Sequence, residues 1–303
     1  MIISIEQLDG IAAAYKQKIG AYSKIVKICC GTGCISSGAL KVYEKLNEAI
    51  AAEKLNDKVL VKKTGCHGLC ERGPIVVFGD DEILYQTVGK RNLEDDTKLL
   101  LKTIQDGTIV ENLLYKGEDK TKRYVSPGDI PFYAGQTRIV LALNGVLDPE
   151  DIEEYIGFGG YRAAYKALHM DPVEIIEWIQ KSGLRGRGGG GFLTGTKWRS
   201  CRDASEEPRY VIANGDEGDP GAFMDRSLME GNPHAVIEGM IIGGHAIGSN
   251  QGFIYVRDEY PLAVHRLSIA IEKAREQGLL GANIFNSGFN FDIKIFRGGG
   301  AFV

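Results

Sequence analysis

Residues 182–198 read SGLRGRGGGGFLTGTKW, and their place in the chain decides which α/β fold the sequence can adopt. Gly186, Gly188 and Gly191 spell G-x-G-x-x-G, but the dinucleotide fingerprint requires a strand directly before the glycines. Here a helix precedes them, because DPVEIIEWIQKSG (171–183) has an Asp-Pro start and a glycine stop. An ordinary Rossmann site is therefore disfavoured. The sequence still allows another interpretation, a glycine loop that lets backbone amides approach a phosphate or a flat ring.

Beyond the loop, apolar strands alternate with helices. TGTKW starts a short helix whose N-terminus and Lys197 add positive potential for an anion. In RYVIANGDEGDPG (209–221) a predicted strand runs into an acidic turn, GFIYVRDEY (252–260) is a predicted strand, and in FDIKIFRGGGAFV (291–303) a predicted strand breaks into glycine. The helices between them are NPHAVIEGMIIGGHAIG (232–248) and residues 261–277. This alternation predicts a largely parallel sheet with ligands at the carboxyl ends of its strands.

The first part of the chain predicts a separate small α/β unit, of the size of a thioredoxin-like domain. Its expected helices are 5–20, 36–54 and 92–105, and its expected strands are 23–28, 58–63, 74–78 and 82–86. The polar, Gly- and Pro-containing stretch YKGEDKTKRYVSPGDIPFYAGQ (115–136) is typical of a connector. We therefore expect domains at 1–110 and 138–303, joined by 111–137.

Composition excludes several functional classes. The 303 residues carry 40 acidic and 36 basic side chains, so the net charge of -4 favours neither nucleic acid nor an anionic membrane as partner. No apolar run reaches the roughly 18 to 20 residues of a membrane span, and the start lacks the features of a signal peptide. We expect a cytoplasmic protein whose six cysteines stay reduced. The chain stops directly after a glycine turn, and we expect it to continue beyond Val303.

Four of the cysteines form two pairs, Cys29 with Cys34 and Cys66 with Cys70, each after a predicted strand and in a glycine-containing turn. Four thiolates can bind one tetrahedral zinc ion or a [2Fe-2S] cluster. A disulfide or plain core packing is the alternative to a metal, and a Rieske centre is disfavoured because His67 is the only nearby histidine. The two other cysteines, Cys30 and Cys201, are expected to be packing residues.

The motifs CCGTGC (29–34) and GCHGLCERGP (65–74), with the spacing between them, resemble the thioredoxin-like [2Fe-2S] ferredoxin domain. That family occurs as a small subunit of respiratory NADH dehydrogenases and in fusions within soluble hydrogenases. The resemblance implies that Cys29, Cys34, Cys66 and Cys70 ligate a [2Fe-2S] cluster. It covers about the first third of the chain.

A second cluster of polar residues follows the strand at 209. In NGDEGDPGAFMDR (214–226) the acidic and amide side chains are Asn214, Asp216, Glu217, Asp219 and Asp225. Taken alone, this is a solvated acidic turn or an opportunistic calcium loop, although it lacks the closing glutamate of an EF-hand. Together with a cationic glycine loop, it suits a ligand with phosphates and with hydroxyl or amide donors. Nucleotides and flavins are such ligands.

The glycine loop, the acidic turn and RGGGAFV (297–303) together resemble the NADH- and FMN-binding 51 kDa flavoprotein family, and TRIVLALNGVLDPEDIEEYIGFGGYRA (137–163) resembles its lead-in. The resemblance implies a Rossmann-like α/β domain that binds FMN. NADH stacks on the flavin there and transfers a hydride, and the flavin then passes electrons singly to iron-sulfur clusters. The fold class expected for the whole chain is α/β: a thioredoxin-like ferredoxin domain followed by this domain.

Carried over by position, the resemblance implies roles for individual residues. Glu217 and Asp219 bind the dinucleotide or tune the flavin, and Phe192 offers NADH an aromatic face, although packing in a core is its alternative. Asn214 and Asp216 lie at the ribityl and ring side. The remaining expected cofactor contacts are Gly186, Arg187, Gly188, Gly189, Gly190, Gly191, Lys197 and Phe302.

The sequence also departs from the family pattern. Asp219 replaces the family's longer glutamate, and Phe302 replaces a tyrosine and so loses a hydroxyl. The family's later segments, among them a [4Fe-4S] domain, are not in these 303 residues.

The resemblance implies a diaphorase subunit that uses NAD(H) or NADP(H). Its expected partners are an iron-sulfur catalytic subunit of a hydrogenase, electron-bifurcating ones included, a small [2Fe-2S] subunit and ferredoxin. The alternatives are the flavin subunit of a formate dehydrogenase or of NADH:quinone oxidoreductase. A different class is a zinc-stabilised binding module that uses the RGRGG loop.

Overall fold

The computed structural model of the chain describes residues 1–79, 82–117, 121–219 and 221–299. Its contacts divide the chain into two compact units. The four-cysteine unit contains residues 15–151 and 230–232, and the glycine-loop unit contains residues 1–14, 152–229 and those from 233 onward. The domain limits expected from the sequence, 1–110, 111–137 and 138–303, remain a prediction.

The four-cysteine unit is built on a four-stranded mixed sheet in the order β2-β1-β3-β4. Its strands are β1 (Lys24–Cys29), β2 (Val59–Thr64), β3 (Val76–Phe78) and β4 (Ile83–Tyr85), followed by a short hairpin of β5 (Tyr115–Lys116) and β6 (Arg123–Tyr124). Its helices are α1 (Ile5–Gly20, from residue 15), α2 (Thr32–Ser36), α3 (Ala39–Ala52), α4 (Leu93–Asp106) and α5 (Pro131–Ala134). β1 pairs in parallel with β2 and antiparallel with β3.

Sequence patterns explain these elements. Val42, Leu46 and Ile50 lie on one buried face of α3 at helical spacing, and the side chains of β1 from Val26 onward are buried. The helix expected over 36–54 begins later, because Gly38 has φ +100° and separates α2 from α3. The expected connector 111–137 contains the β5–β6 hairpin, and its Ile130 is buried in the core of this unit.

The glycine-loop unit is an α/β layer around a three-stranded sheet in the order β7-β8-β9. Its strands are β7 (Val211–Gly215), β8 (Gln251–Arg257) and β9 (Asp292–Gly298). Its helices are α1 (residues 5–14 of it), α6 (Ile152–Gly157), α7 (Arg162–Leu168), α8 (Pro172–Ser182), α9 (Thr194–Asp203), α10 (Met224–Gly231, up to residue 229), α11 (Pro233–Ile247) and α12 (Pro261–Glu276). Both strand pairs are parallel, which confirms the sheet predicted from the alternating pattern.

The capping signals read from the sequence determine where the glycine loop begins. The Asp171 carboxylate accepts a hydrogen bond from the N–H of Val173 at 2.7 Å, and Pro172 occupies the first turn of α8. Gly183 ends the helix with φ +67°. No helix within the described ranges is both long and apolar enough to cross a bilayer.

A buried polar cluster lies among the helices of the glycine-loop unit. The Tyr155 hydroxyl donates to Glu238 Oε2 at 2.5 Å, and the Ala164 N–H donates to the other oxygen at 3.0 Å. His234, at the start of α11, is 1% exposed, and its Nδ1 lies 2.8 Å from the Tyr161 hydroxyl. The His234 Nε2 has no hydrogen-bond partner within the described residues. Burial, followed by the charge of Lys273, lowers the pKa of His234 from 6.5 to about 3.

Candidate functional site

The two cysteine pairs lie at one edge of the sheet of the four-cysteine unit. Cys29 ends β1 and Cys34 lies in α2, while Cys66 and Cys70 follow β2. Cys29 is in register with Thr64 in the parallel pair of strands, so both turns leave the sheet at its same end. The topology therefore places the four cysteines of the expected ligand set next to one another.

The thiols themselves form a continuous group. The Sγ atoms of Cys66 and Cys70 are 3.5 Å apart, and the thiol of Cys29 is within hydrogen-bonding reach of those of Cys34 and Cys66. A hydrogen bond with Cys34 and burial raise the pKa of Cys29 to about 12, and a hydrogen bond with Cys29 and burial raise the pKa of Cys66 to about 11. The Gly68 N–H donates to the Cys66 Sγ at 3.2 Å. At least one backbone amide is thus already aimed at sulfur.

Glycines let the two turns approach each other this closely. A Cβ on Gly31 would lie 2.9 Å from the Cys66 Cβ, and one on Gly33 would lie 3.0 Å from the Cys70 Cβ. A Cβ on Gly73 would lie 2.7 Å from the Cys34 Sγ. Any side chain at these positions would push the sulfurs apart.

The donor set fits a [2Fe-2S] cluster. Such a cluster is held by four thiolates, two on each iron. Two separate pairs of cysteines match this arrangement better than they match four ligands converging on a single ion. Across the described ranges, no three His, Cys, Asp or Glu side chains converge as a single metal ion requires. The ring of His67 packs against Gly145, on which a Cβ would lie 2.6 Å from the ring.

The glycine-rich loop of the other unit is closed on itself at its base. The Gly186 N–H donates to the Phe192 carbonyl at 2.8 Å, and the Thr194 N–H donates to the Leu184 carbonyl at 2.9 Å. The Arg185 guanidinium donates to the Gly191 carbonyl at 2.9 Å. These bonds fix the two arms of the loop and leave its tip, 187–190, exposed.

The glycines of the loop tip face open space. Apart from chain neighbours, no atom of the described residues lies within 4 Å of a Cβ built on Gly188, Gly189, Gly190 or Gly191. Gly189 and Gly191 have φ of +102° and +59°, which favours glycine at these two positions. The loop therefore leaves room for a molecule to lie against its backbone, as an FMN phosphate or a flat ring requires.

Exposed cationic and aromatic side chains lie on the loop and just after it in the chain. Arg187 and Phe192 are exposed, and Phe192 is 61% exposed, so packing in a core does not explain it. Lys197 is exposed in the first turn of α9, whose N-terminus follows the loop directly. The helix terminus and Lys197 both favour an anion near the loop.

The acidic turn follows β7 at the carboxyl edge of the parallel sheet. Asn214 Oδ1 accepts a hydrogen bond from the Asp216 N–H at 3.0 Å, and Asp216 lies 3.9 Å from the Arg257 guanidinium. The Glu217 carboxylate accepts from the N–H groups of Asp225 and Arg226 at 2.9 and 3.2 Å. Glu217 thereby caps the start of α10, a role that the sequence did not reveal.

Two further residues hold the acidic turn and were missed at the sequence level. Arg257 at the end of β8 donates to the Glu217 carbonyl at 2.8 Å, and the Tyr260 hydroxyl donates to the same oxygen at 2.9 Å. Their position was an available signal, because the carboxyl ends of neighbouring parallel strands meet. Asp219 is exposed and available to a ligand. Phe302 lies outside the described residues.

Two family models match separate parts of the chain. Residues 2–100 match the family model of the thioredoxin-like [2Fe-2S] ferredoxin, and residues 179–303 match that of the Nuo51 FMN-binding domain. The chain joins a thioredoxin-like ferredoxin domain to a Nuo51-type FMN-binding domain. The ferredoxin match sets aside the zinc module as the interpretation of the four cysteines, and the predicted fold class is confirmed.

Among curated relatives, the chain is 52% identical over 168 residues to the NADP-reducing hydrogenase subunit HndC of Solidesulfovibrio fructosivorans. It is 47% identical over 176 residues to an NADH-quinone oxidoreductase subunit of Aquifex aeolicus. These alignments cover 55% and 57% of this chain but only 34% and 41% of the relatives, so the chain spans well under half of their length. A solved NAD+-reducing [NiFe]-hydrogenase is similar at 22% identity and a TM-score of 0.43, over 99% of this chain and 49% of that one.

Proposed function

We propose that this chain is a subunit of an NAD(P)H-dependent flavin and iron-sulfur oxidoreductase, a diaphorase. It transfers a hydride between NAD(H) or NADP(H) and FMN, and single electrons between FMN and iron-sulfur clusters. The observation that carries the proposal is that one chain holds both a four-thiol group and an open glycine cradle. Flavin chemistry connects two-electron and one-electron carriers, so the protein has to bind, orient and tune the two cofactors.

The exposure and sequence position of the loop residues support the proposed cofactor contacts. Arg187, Lys197 and the amides of the loop are proposed to bind the FMN phosphate, because both cations are exposed and the loop glycines face open space. Phe192 gives the nicotinamide ring an exposed aromatic face. The other proposed contacts are Gly186, Gly188, Gly189, Gly190 and Gly191 on the loop, with Asn214 and Asp216 on the ribityl and ring side.

The two acidic residues proposed to act on the dinucleotide have different surroundings. Asp219 is exposed, so it is the residue proposed to bind the nucleotide. The Glu217 carboxylate already accepts two N–H groups, so we propose that it acts by holding the turn and tuning the flavin. Cys29, Cys34, Cys66 and Cys70 are proposed as the cluster ligands.

The hydrogenase assembly is the first candidate for the complex in which this subunit works. The similarity to a hydrogenase subunit supports it. The proposed partners are an iron-sulfur catalytic subunit, a small [2Fe-2S] subunit and ferredoxin, and the proposed location is the cytoplasm. NADH:quinone oxidoreductase is the second candidate, supported by the similarity to one of its subunits. Purification of the native complex separates the two, because an iron-sulfur hydrogenase subunit or a set of membrane subunits accompanies the chain.

Absorption spectra of the natively purified protein test the proposed chemistry. We expect the bands of an oxidised flavin and of a [2Fe-2S] cluster, and bleaching of both when NADH or NADPH is added. A colourless protein that contains only zinc would refute the proposal.

The cradle is tested by Lys197→Ala, with Lys181→Ala as its control. Both lysines are exposed, but Lys181 lies in the last turn of α8 and outside the proposed cradle. We expect Lys197→Ala to weaken FMN binding by roughly tenfold, the usual scale for one charge-assisted contact to a phosphate, and Lys181→Ala to bind FMN normally. Equal FMN affinity in the two variants would exclude Lys197 from the site.

A further inference from the structure

A short segment far along the sequence packs onto both cysteine turns of the four-cysteine unit. Glu230 Oε2 accepts a hydrogen bond from the Thr32 N–H at 3.0 Å, and Glu230 Oε1 accepts from the Thr32 hydroxyl at 2.5 Å. Thr32 lies between Cys29 and Cys34. Gly231 meets the other turn, because a Cβ on Gly65 would lie 2.5 Å from the Gly231 Cα. The segment 230–232 therefore holds both halves of the thiol group.

Hydrogen bonds compensate the burial of the Glu230 carboxyl group. Glu230 is 1% exposed, and burial of a polar or charged group is costly unless hydrogen bonds replace those lost to water. Each of its oxygens accepts one hydrogen bond from Thr32, one from the N–H and one from the hydroxyl. The carboxyl group is thus held away from water, directly against the turn that carries two of the proposed ligands.

We propose that Glu230 is a positioning residue that fixes the Cys29–Cys34 turn and lowers the reduction potential of the cluster. Hydrogen bonds from amides to the sulfurs and the net charge around a cluster set its potential. The Thr32 N–H donates to the Glu230 carboxyl group and is not available to a sulfur, and negative charge on that carboxyl group would oppose the arrival of an electron. The inference rests on the proposed ligation of the cluster by the four cysteines, but not on hydride transfer.

Redox titration of the cluster, followed by electron paramagnetic resonance, tests the effect on potential. Glu230→Gln keeps the shape and an acceptor oxygen but removes the charge. We expect it to shift the equilibrium towards the reduced cluster by about tenfold, which is about 59 mV for a one-electron couple. The control is Glu71→Gln, next to Cys70 but exposed, whose charge water screens and whose shift we expect to be clearly smaller.

Hydrogen exchange of the Thr32 amide tests the positioning role, with Glu230→Asp as the second variant. Asp keeps the charge but is one methylene shorter, so it cannot hold both Thr32 groups at the same distances. We expect the potential to stay low and the Thr32 amide to exchange faster. If Glu230→Gln fails to assemble the cluster, the measurements on Glu230→Asp decide whether Glu230 positions the turn.

The outcomes separate the two proposals. A Glu230→Gln potential no further shifted than that of Glu71→Gln overturns the inference, and so does unchanged Thr32 exchange in Glu230→Asp. A wild-type protein without the spectrum of a [2Fe-2S] cluster overturns the ligand assignment itself, before any variant is made.

Discussion

Lowering the pH from 7 to 5 should destabilise the glycine-loop unit through one buried histidine, His234. In the folded protein its ring is neutral, with a pKa lowered to about 3, because burial and then the charge of Lys273 oppose a second proton. Protonation would make both ring nitrogens donors, while Nε2 has no partner in the described structure. Unfolding exposes the ring and returns its pKa to about 6.5.

The sign and size of the effect follow from proton linkage. Because the folded-state pKa lies below the unfolded one, the contribution is complete above pH 6.5 and is lost as the pH falls towards 3. Between these values the unfolded chain binds one more proton, so the free energy of unfolding falls by about 1.4 kcal/mol per pH unit. Integrated from pH 7 to pH 5, the loss is about 2 kcal/mol.

Guanidinium unfolding of the full chain, followed by tryptophan fluorescence, measures this loss. The chain has two tryptophans, Trp178 and Trp198, and both lie in the glycine-loop unit. His234→Gln removes the titrating group, so its free energy of unfolding should fall between pH 7 and pH 5 by about 2 kcal/mol less than that of wild type. His265→Gln, the same change at an exposed position of α12, is the control and should keep the wild-type pH dependence.

Comparison of each variant with wild type at the same pH cancels any general effect of pH on cofactor binding. Two results would refute the reasoning. One is an equal pH dependence for His234→Gln and wild type. The other is a His234 ring that titrates between pH 5 and 8 in the folded protein, as measured by NMR of 13C-labelled histidine.

Three further predictions concern the two sites. Cys34→Ala should abolish the [2Fe-2S] absorption and paramagnetic signals. Cys30→Ala changes a buried neighbour outside the proposed ligand set and should keep these signals. A cluster retained in Cys34→Ala would remove Cys34 from the ligand set. Gly189→Ala should weaken FMN binding about tenfold more than Gly188→Ala, as measured by fluorescence titration. Of the two glycines, only Gly189 has a positive φ, a backbone conformation that costs an L-residue about 1–2 kcal/mol. Glu217→Ala should lower the free energy of unfolding by about 1 kcal/mol by uncapping α10, and Asp219→Ala should leave it unchanged in the same denaturation assay.

Much of the fold could be predicted because local signals agree with it. The Asp171 cap, Pro172 and Gly183 delimit α8 within the sequence itself, and the structure confirms all three. The sheet of the glycine-loop unit was predictable for the same reason, since each of its strands alternates with a helix. The break between α2 and α3 was missed, because a single glycine with positive φ interrupts an otherwise helical pattern.

The site was predictable only where one motif carries the chemistry. The cysteine spacing indicated the four thiols. Nothing in the sequence near Thr32 indicates that its amide bonds to Glu230, which lies 198 residues further along the chain. Glu217 was recognised as polar and near a strand end, yet its carboxylate caps a helix, which depends on how the turn folds back. Arg257 reaches the same turn from the neighbouring strand. The predicted parallel sheet offered a signal for Arg257, but not for the contacts of Glu230 and Glu217, which depend on how distant segments and turns pack.

The glycines of the two sites have different physical causes, and this difference bears on the proposed ligands. In the cysteine turns, Gly31, Gly33 and Gly73 are required by the protein itself, because added Cβ atoms would meet cysteine atoms. In the loop, a Cβ on Gly188 or Gly190 would meet nothing within 4 Å among the residues that the structure describes, so their packing does not account for glycine there. A molecule lying against the backbone would account for it, since it needs the space that a side chain would fill. Packing thus explains the glycines of the cysteine turns, and the proposed ligand would explain those of the loop.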